Sequence, residues 1–363
     1  MPTNQAAWFH SNGGPFTVGE APMPQLARDE VLIRSHAIAF NPADVAVWKS
    51  GLFTTSLPAT VGCDVAGIIA AVGQSALKFK VGDRVLGVPN WSAEDRINKG
   101  SGQLYCAAFE GLTAKLPENV EFTDGCVLPL ALCTAASSLF QKDNLGLPLP
   151  GLYLNSSKTE TKVLLVWGGS SSVGSCAIQM ARASGLTVAT TCSARNFEYC
   201  RDLGAAYVFD YTSSTVVEDI VKHLEGQESA GVFTAIISAE SITKSAEIAH
   251  RLHGNKHVAT VIPPMGSSQV PSRLPEDVQI SFFCHIHETR LLIILRLAGW
   301  STHIKDDQVG PPLFGWIPEA LTKGVLRCKP NPEVVGQGLE AVQQAVERME
   351  KGVSATKLIV EIP

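Results

Sequence analysis

The chain has 363 residues, 45% of them hydrophobic and 17% charged, which is apolar enough to bury two domain cores and excludes a disordered chain. A formal charge of −5 offers no basic phosphate-tracking surface and argues against a nucleic-acid binder. The N-terminal stretch MPTNQAAWFHSNGG lacks a basic or apolar secretory signature, and LLIIL at 291–295 is far too short to cross a bilayer, so a cytoplasmic protein without a membrane partner is expected.

Nine cysteines occur without a CxxC pair or a zinc-ribbon or disulfide spacing, which reads as free, mostly buried thiols. Up to about residue 120 the chain has the rhythm of antiparallel β-structure. EVLIRSHAIAF (30–40), VAGIIAAVG (65–73) and DRVLGV (83–88) are strands separated by turn signals such as Val81-Gly82-Asp83, and 89–102 is a surface loop. The segment 148–161 is an insertion or linker.

From Lys162 the rhythm changes. VLLVW (163–167) is apolar on both faces, as a central parallel strand requires. A helix follows over Val173–Ser184, with Gly185 as its C-cap. LTVATTC (186–192), YVFDY (207–211), VFTAIIS (232–238), HVATVI (257–262) and VQISFF (278–283) continue as strands, with helices over NFEYCRDLG (196–204) and VVEDIVKHL (216–224). Alternation of this kind predicts βαβ units in a doubly wound parallel sheet. The last stretch, from Glu333, reads as a helix followed by a strand that returns to the first domain.

Between VLLVW and its helix lies GGSSSVG (168–174). Gly168 and Gly169 allow a tight turn and close approach of a ligand, Gly174 allows close helix–strand packing, and the hydroxyls of Ser170, Ser171 and Ser172 suit pyrophosphate oxygens at a helix N-terminus beside Val173. The turn taken alone is equally a structural βα connection. About 20 residues further on, where an Asp or Glu holds the ribose of NADH, the chain reads Cys192-Ser193-Ala194-Arg195-Asn196. Ser193 offers a hydroxyl, Arg195 a cation and Tyr211 a phenol to a 2′-phosphate, which favours NADPH. The alternative for Arg195 is a solvated residue at a helix start.

Taken together, Asn41-Pro42-Ala43-Asp44, Gly62-Cys63-Asp64-Val65-Ala66-Gly67, Val81-Gly82-Asp83-Arg84-Val85, Leu128-Pro129-Leu130 with Thr134-Ala135, GGSSSVG and Lys351-Gly352-Val353-Ser354 resemble the medium-chain dehydrogenase/reductase superfamily over almost the whole chain. The likeness is to its zinc-free, quinone-oxidoreductase-like branch, and more narrowly to fungal trans-acting enoyl reductases that serve polyketide synthases. It implies an α/β fold made of a GroES-like β-rich domain (1–122 and 325–363) and a Rossmann NADPH-binding domain (123–324). It also implies an NADPH-dependent reductase of an activated C=C in an enone or enoyl substrate. The partner would be an apolar molecule, free or presented by a synthase carrier domain, with the enzyme a monomer or homodimer. A stand-alone quinone or enone reductase, and a nucleotide-binding protein that shapes a substrate for cyclisation, are the rival readings.

The resemblance implies Asn41 and Thr134 as catalytic residues against the nicotinamide, with Pro42 and Asp44 beside them. It places Gly169, Ser170, Ser171, Ser172 and Val173 at the pyrophosphate and Ser193, Arg195, Asn196 and Tyr211 at the adenosine end. Val261, Val353 and Ser354 would close on the nicotinamide. Zinc-dependent members carry metal ligands at positions that here hold Asn41, Cys63 and Leu130, so no metal is expected. Two departures stand out: Ala46 where related enoyl reductases often have Lys, with Lys49 further on, and Ser238-Ala239 where many relatives have Asp. Cys63 reads as a packing thiol or a nucleophile, and His285 and His287 as structural or as cleft residues.

Overall fold

The computed structural model describes residues 3–51, 54, 56–91, 98–152, 162–261, 274–282 and 308–363. His285, His287, the middle of the 89–102 loop and most of the 148–161 insertion lie outside the described residues.

In chain order the elements are β1 (Asn4–Phe9), β2 (Phe16–Ala21), β3 (Glu30–Ala39), α1 (Pro42–Ser50), β4 (Asp64–Val72), β5 (Arg84–Pro89), β6 (Tyr105–Lys115), α2 (Phe122–Gly125) and α3 (Pro129–Phe140). Next come β7 (Val163–Trp167), α4 (Ser172–Ala183), β8 (Thr187–Cys192), α5 (Phe197–Leu203), β9 (Tyr207–Asp210), α6 (Val216–His223), β10 (Ser229–Thr234), α7 (Ala239–Arg251), β11 (His257–Thr260) and β12 (Gln279–Phe282). The chain closes with α8 (Gly310–Thr322), β13 (Asn331–Gln337), α9 (Val342–Glu350) and β14 (Thr356–Glu361).

Two compact units result. One comprises Met1–Leu130, Glu288–Thr322 and Cys328–Pro363; the other comprises Ala131–His287 and Lys323–Arg327. In the first, β3, β4, β5 and β6 pair in that order, all antiparallel, and β6 returns to β3. This closure leaves no free edge inside the barrel. β14 extends it by pairing antiparallel with β3, Ile359–Glu361 against Ala37–Ala39. The apolar interior is built around Phe9, Ile33, Phe40 and Trp48.

The C-terminal stretch departs from expectation at its start. Residues Asn331–Gln337 form β13, parallel to β14, and the helix begins only at Val342. Val334 and Val335 favour the extended backbone, and the register shifts between Val334 and Gly336.

In the second unit the described strands form a wholly parallel sheet in the order β12-β11-β10-β7-β8-β9. Numbered within the unit, this is the 3-2-1-4-5-6 arrangement of a doubly wound dinucleotide-binding sheet, with its topological switch between β7 and β10. The run VLLVW is buried at every position, as a strand covered on both faces must be. One strand is displaced from its expected range. β10 covers Ser229–Thr234 rather than 232–238, because the backbone bulges at Gly231 (φ +116°) and the chain leaves the sheet after Thr234.

Candidate active site

The glycine-rich turn in the second unit is fixed from inside. Gly168 adopts φ +90° and donates its N–H to Thr191 at the end of β8. A Cβ on Gly174 would lie 2.2 Å from the Gly168 carbonyl oxygen, so only glycine lets α4 start this close to the turn. Ser171 is the N-cap of α4. Its Oγ accepts from the Gly174 N–H at 3.0 Å and donates to the Gly168 carbonyl at 2.8 Å. Its hydroxyl is therefore engaged by the fold.

Ser172 differs. Its Oγ is buried and has no hydrogen-bond partner among the described residues. A buried hydroxyl of that kind is costly unless something fills the place. With the N-terminus of a 12-residue helix behind it, the chemistry that fits is an anionic oxygen. The turn thus fits the pyrophosphate of a dinucleotide.

Behind the turn, the Ser175 hydroxyl bridges to the Gly169 carbonyl at 3.3 Å and to the Tyr199 phenol at 2.8 Å. Burial raises the Tyr199 pKa, keeping the phenol protonated. At the end of β8, Asn196 is buried and donates through Nδ2 to the hydroxyls of Ser170 and Ser193, both at 3.2 Å. Arg195 is exposed and makes no hydrogen bond or ion pair among the described residues. Tyr211 is 44% exposed, and its backbone N–H bonds to the Cys192 carbonyl. Ser170, Ser172, Ser193, Arg195, Asn196 and Tyr211 thus lie at the ends of β7, β8 and β9, where open α/β sheets bind ligands. Val261 follows β11 and hydrogen-bonds to Thr234, Val173 sits half-buried in the first turn of α4, and Thr134 is half-buried on α3.

The first unit holds a buried charge cluster. Lys357 of β14 is 2% exposed and pairs at 2.9 Å with Asp64, which is fully buried at the start of β4. The same ammonium donates to Oδ1 of Asn41. Asn41 Nδ2 donates to Asp64 at 2.8 Å and to Asp44 at 3.3 Å. Asp44 accepts the backbone N–H groups of Asn41 and Gly62, closing the capping box of α1. Asp64 also accepts the N–H of Leu130 at 2.6 Å, where α3 begins. Both ends of the Asn41 amide are therefore committed inward.

Burial is the main force that raises Asp44 to about 6, reinforced by nearby Asp64 and opposed by the two N–H donors. Burial also pushes the Cys63 thiol up, with Asp44 and Asp64 adding to it, so Cys63 stays a thiol in hydrogen-bond contact with Asp44. It has the character of a packing thiol rather than a nucleophile.

Lys357 is the residue that sequence reading missed. Its signal was available: alternation in TKLIVE puts it on the same strand face as the buried Ile359. Pro42, Val353 and Ser354 lie at the surface of this unit. Lys49, on α1, pairs at 3.0 Å with Glu350 of α9 and lies over the Trp48 ring. Ser238 is the N-cap of α7, with its Oγ accepting the Ser241 N–H at 3.0 Å. Capping accounts for a serine at that position. Among the described residues no group of His, Cys, Asp and Glu is arranged to hold a metal ion.

Residues 27–130 match the family model of the alcohol dehydrogenase GroES-like domain, and residues 172–274 match that of zinc-binding dehydrogenases. A curated relative, the dehydrogenase pigH of Monascus ruber, is 36% identical over 380 residues, covering 100% of both chains.

The chain belongs to the medium-chain dehydrogenase/reductase superfamily.

Another member, the trans-enoyl reductase himH of Aspergillus japonicus, is 34% identical and covers 99% of this chain and 97% of its own. The crystal structure of the CurK enoyl reductase superposes with a TM-score of 0.73 at 19% identity, covering 100% of each chain, which establishes a shared fold. As a member of this superfamily, the protein is an oxidoreductase with enoyl reductase-like relatives, and the dinucleotide turn fits a nicotinamide cofactor.

Proposed function

We propose that the protein is a zinc-independent reductase that uses NADPH to saturate an activated C=C bond. Its substrate would be an apolar enone or enoyl compound of fungal polyketide metabolism, free or held on a carrier domain. The observation that carries this reading is the end of β8. The segment that leaves β8, Ser193-Ala194-Arg195-Asn196, carries no carboxylate, and the nearby Asp210 at the end of β9 is engaged by Thr212, while an exposed, unengaged Arg195 and the Ser193 hydroxyl lie beside a turn whose Ser172 hydroxyl lacks a partner. A carboxylate would repel a 2′-phosphate, whereas a guanidinium and a hydroxyl bind it.

Bound NADPH supplies the hydride; the protein supplies binding and orientation. Ser170 and Ser172, with the first N–H groups of α4, bind the pyrophosphate. Ser193, Arg195 and Tyr211 bind the 2′-phosphate. Asn41, Thr134, Val261, Val353 and Ser354 are assigned to the nicotinamide end on the family likeness.

Zinc independence is supported by Asn41, Cys63 and Leu130. Leu130 has no donor side chain, and the Asn41 amide is engaged by Lys357, Asp64 and Asp44. With no metal to polarise a ketone, reduction of a conjugated C=C is the more accessible chemistry. Asn41 has no free N–H to protonate an enolate, and Lys49 is tied to Glu350. Protonation is therefore assigned to water. The name of the himH relative supports the enoyl class. Turnover of NADPH against a panel of enones, quinones and enoyl thioesters tests the reading. Tight NADPH binding without turnover on any of them would favour a non-redox role.

A further inference from the structure

Asn196 occupies an unusual place in the second unit. It is 8% exposed, at the start of α5, and its Nδ2 reaches two serine hydroxyls that belong to different parts of the cofactor cradle. Ser170 lies in the glycine-rich turn after β7, and Ser193 follows β8. Neither hydroxyl donates to another described residue.

The direction of these bonds has a chemical consequence. A serine hydroxyl has one O–H donor and two acceptor lone pairs. An amide N–H aimed at its oxygen occupies a lone pair and leaves the O–H to point elsewhere. Asn196 does this to both serines at once. Each is then presented as a donor, which is the polarity an anionic phosphate oxygen requires.

We propose that Asn196 is a positioning residue that biases the hydrogen-bond polarity of the cradle, favouring donation by Ser170 toward the pyrophosphate and by Ser193 toward the 2′-phosphate. Through Ser193 it determines specificity for a phosphorylated ribose. This rests on the NADPH reading above. It predicts that the amide, rather than the volume of the side chain, matters. A carboxylate of the same shape would accept the two hydroxyl hydrogens, reverse the polarity and add a repelling charge.

The test is calorimetric binding of NADPH, NADH, 2′,5′-ADP and 5′-AMP to the intact protein, its Asn196→Asp variant and its Asn196→Ala variant, alongside thermal unfolding of each without nucleotide. Asn196→Asp is expected to weaken NADPH at least about tenfold more than NADH, and 2′,5′-ADP at least about tenfold more than 5′-AMP. Asn196→Ala, which removes the orienting N–H without adding an acceptor, is expected to show a smaller loss in the same sense. If either folded variant loses NADPH and NADH affinity in equal proportion, or loses neither, the proposal is overturned. If the unmodified protein binds the two cofactors equally, the NADPH reading fails first, and that failure is distinguishable because it appears before any substitution is made. Should Asn196→Asp fail to fold, the Asn196→Ala ratio decides.

Discussion

Lys357 and Asp64, 293 positions apart in the chain, form a 2.9 Å ion pair at 2% and 0% exposure, with the Asn41 amide held between them. The pair joins the last strand to the start of β4 and fixes the entry of α1. A buried pair of this kind adds little net stability over an apolar pair, but removal of one partner strands the other charge. Lys357→Met is accordingly expected to destabilise the protein by about 3–5 kcal/mol. The double variant Lys357→Met/Asp64→Leu should be less destabilised than Lys357→Met alone. Denaturant unfolding of both variants checks this. A loss within about 0.5 kcal/mol for Lys357→Met, the usual range for an exposed site, would contradict it.

Asp44 carries a pH signature. Burial first, then Asp64, raises it to about 6 from 3.8, against the N–H bonds of Asn41 and Gly62. Because the folded value lies above the unfolded one, its contribution to stability is full below about 3.8 and is lost as pH rises through about 6. The stability difference between the protein and its Asp44→Asn variant should therefore shrink steadily in the protein's disfavour between pH about 4 and about 7. A difference that stays constant across that range, or that grows in favour of the protein, would refute the assignment.

Ser172→Ala separates ligand binding from folding. The Ser172 hydroxyl is buried without a partner, so its removal should leave thermal stability unchanged or slightly raised. NADPH affinity should fall about tenfold, the worth of one hydrogen bond to a charged group. Unchanged affinity in the alanine variant would remove the Ser172 hydroxyl from the pyrophosphate site. Ser171 is a poorer probe, since its side chain caps α4 and its loss destabilises the helix by about 1 kcal/mol.

Arg195→Asp tests cofactor choice. The unmodified protein is expected to bind NADPH at least about tenfold more tightly than NADH, which is about 1.4 kcal/mol. The aspartate variant should narrow or reverse that ratio in parallel fluorescence titrations. Equal affinities in the unmodified protein would remove Arg195 and Ser193 from the 2′-phosphate site.

Much of the second unit was legible because its signals are local. VLLVW is apolar throughout, Gly168 is dictated by its own left-handed backbone and Gly174 by the Gly168 carbonyl six residues away, and strand–helix alternation sets the parallel sheet. What stayed hidden depends on distant chain segments. Lys357 acquires its meaning from Asn41 and Asp64, and Asn196 from Ser170. The strand β13 was read as helix because Val342–Glu350, with its strong helical periodicity, overshadowed the short extended run before it. Ser238, a departure from relatives with Asp to which the sequence alone assigns no role, is a helix cap, a role that only the position of α7 reveals.

The most direct measurement is isotopic. The protein is incubated with NADPH deuterated at the transferable position and an α,β-unsaturated thioester or enone, and the product is analysed by mass spectrometry and NMR. The predicted result is a saturated product with one deuteron at the β-carbon and a solvent-derived proton at the α-carbon, formed at the same rate in the presence of a strong metal chelator. Deuterium at a carbinol carbon, or loss of activity on chelation, would contradict the account.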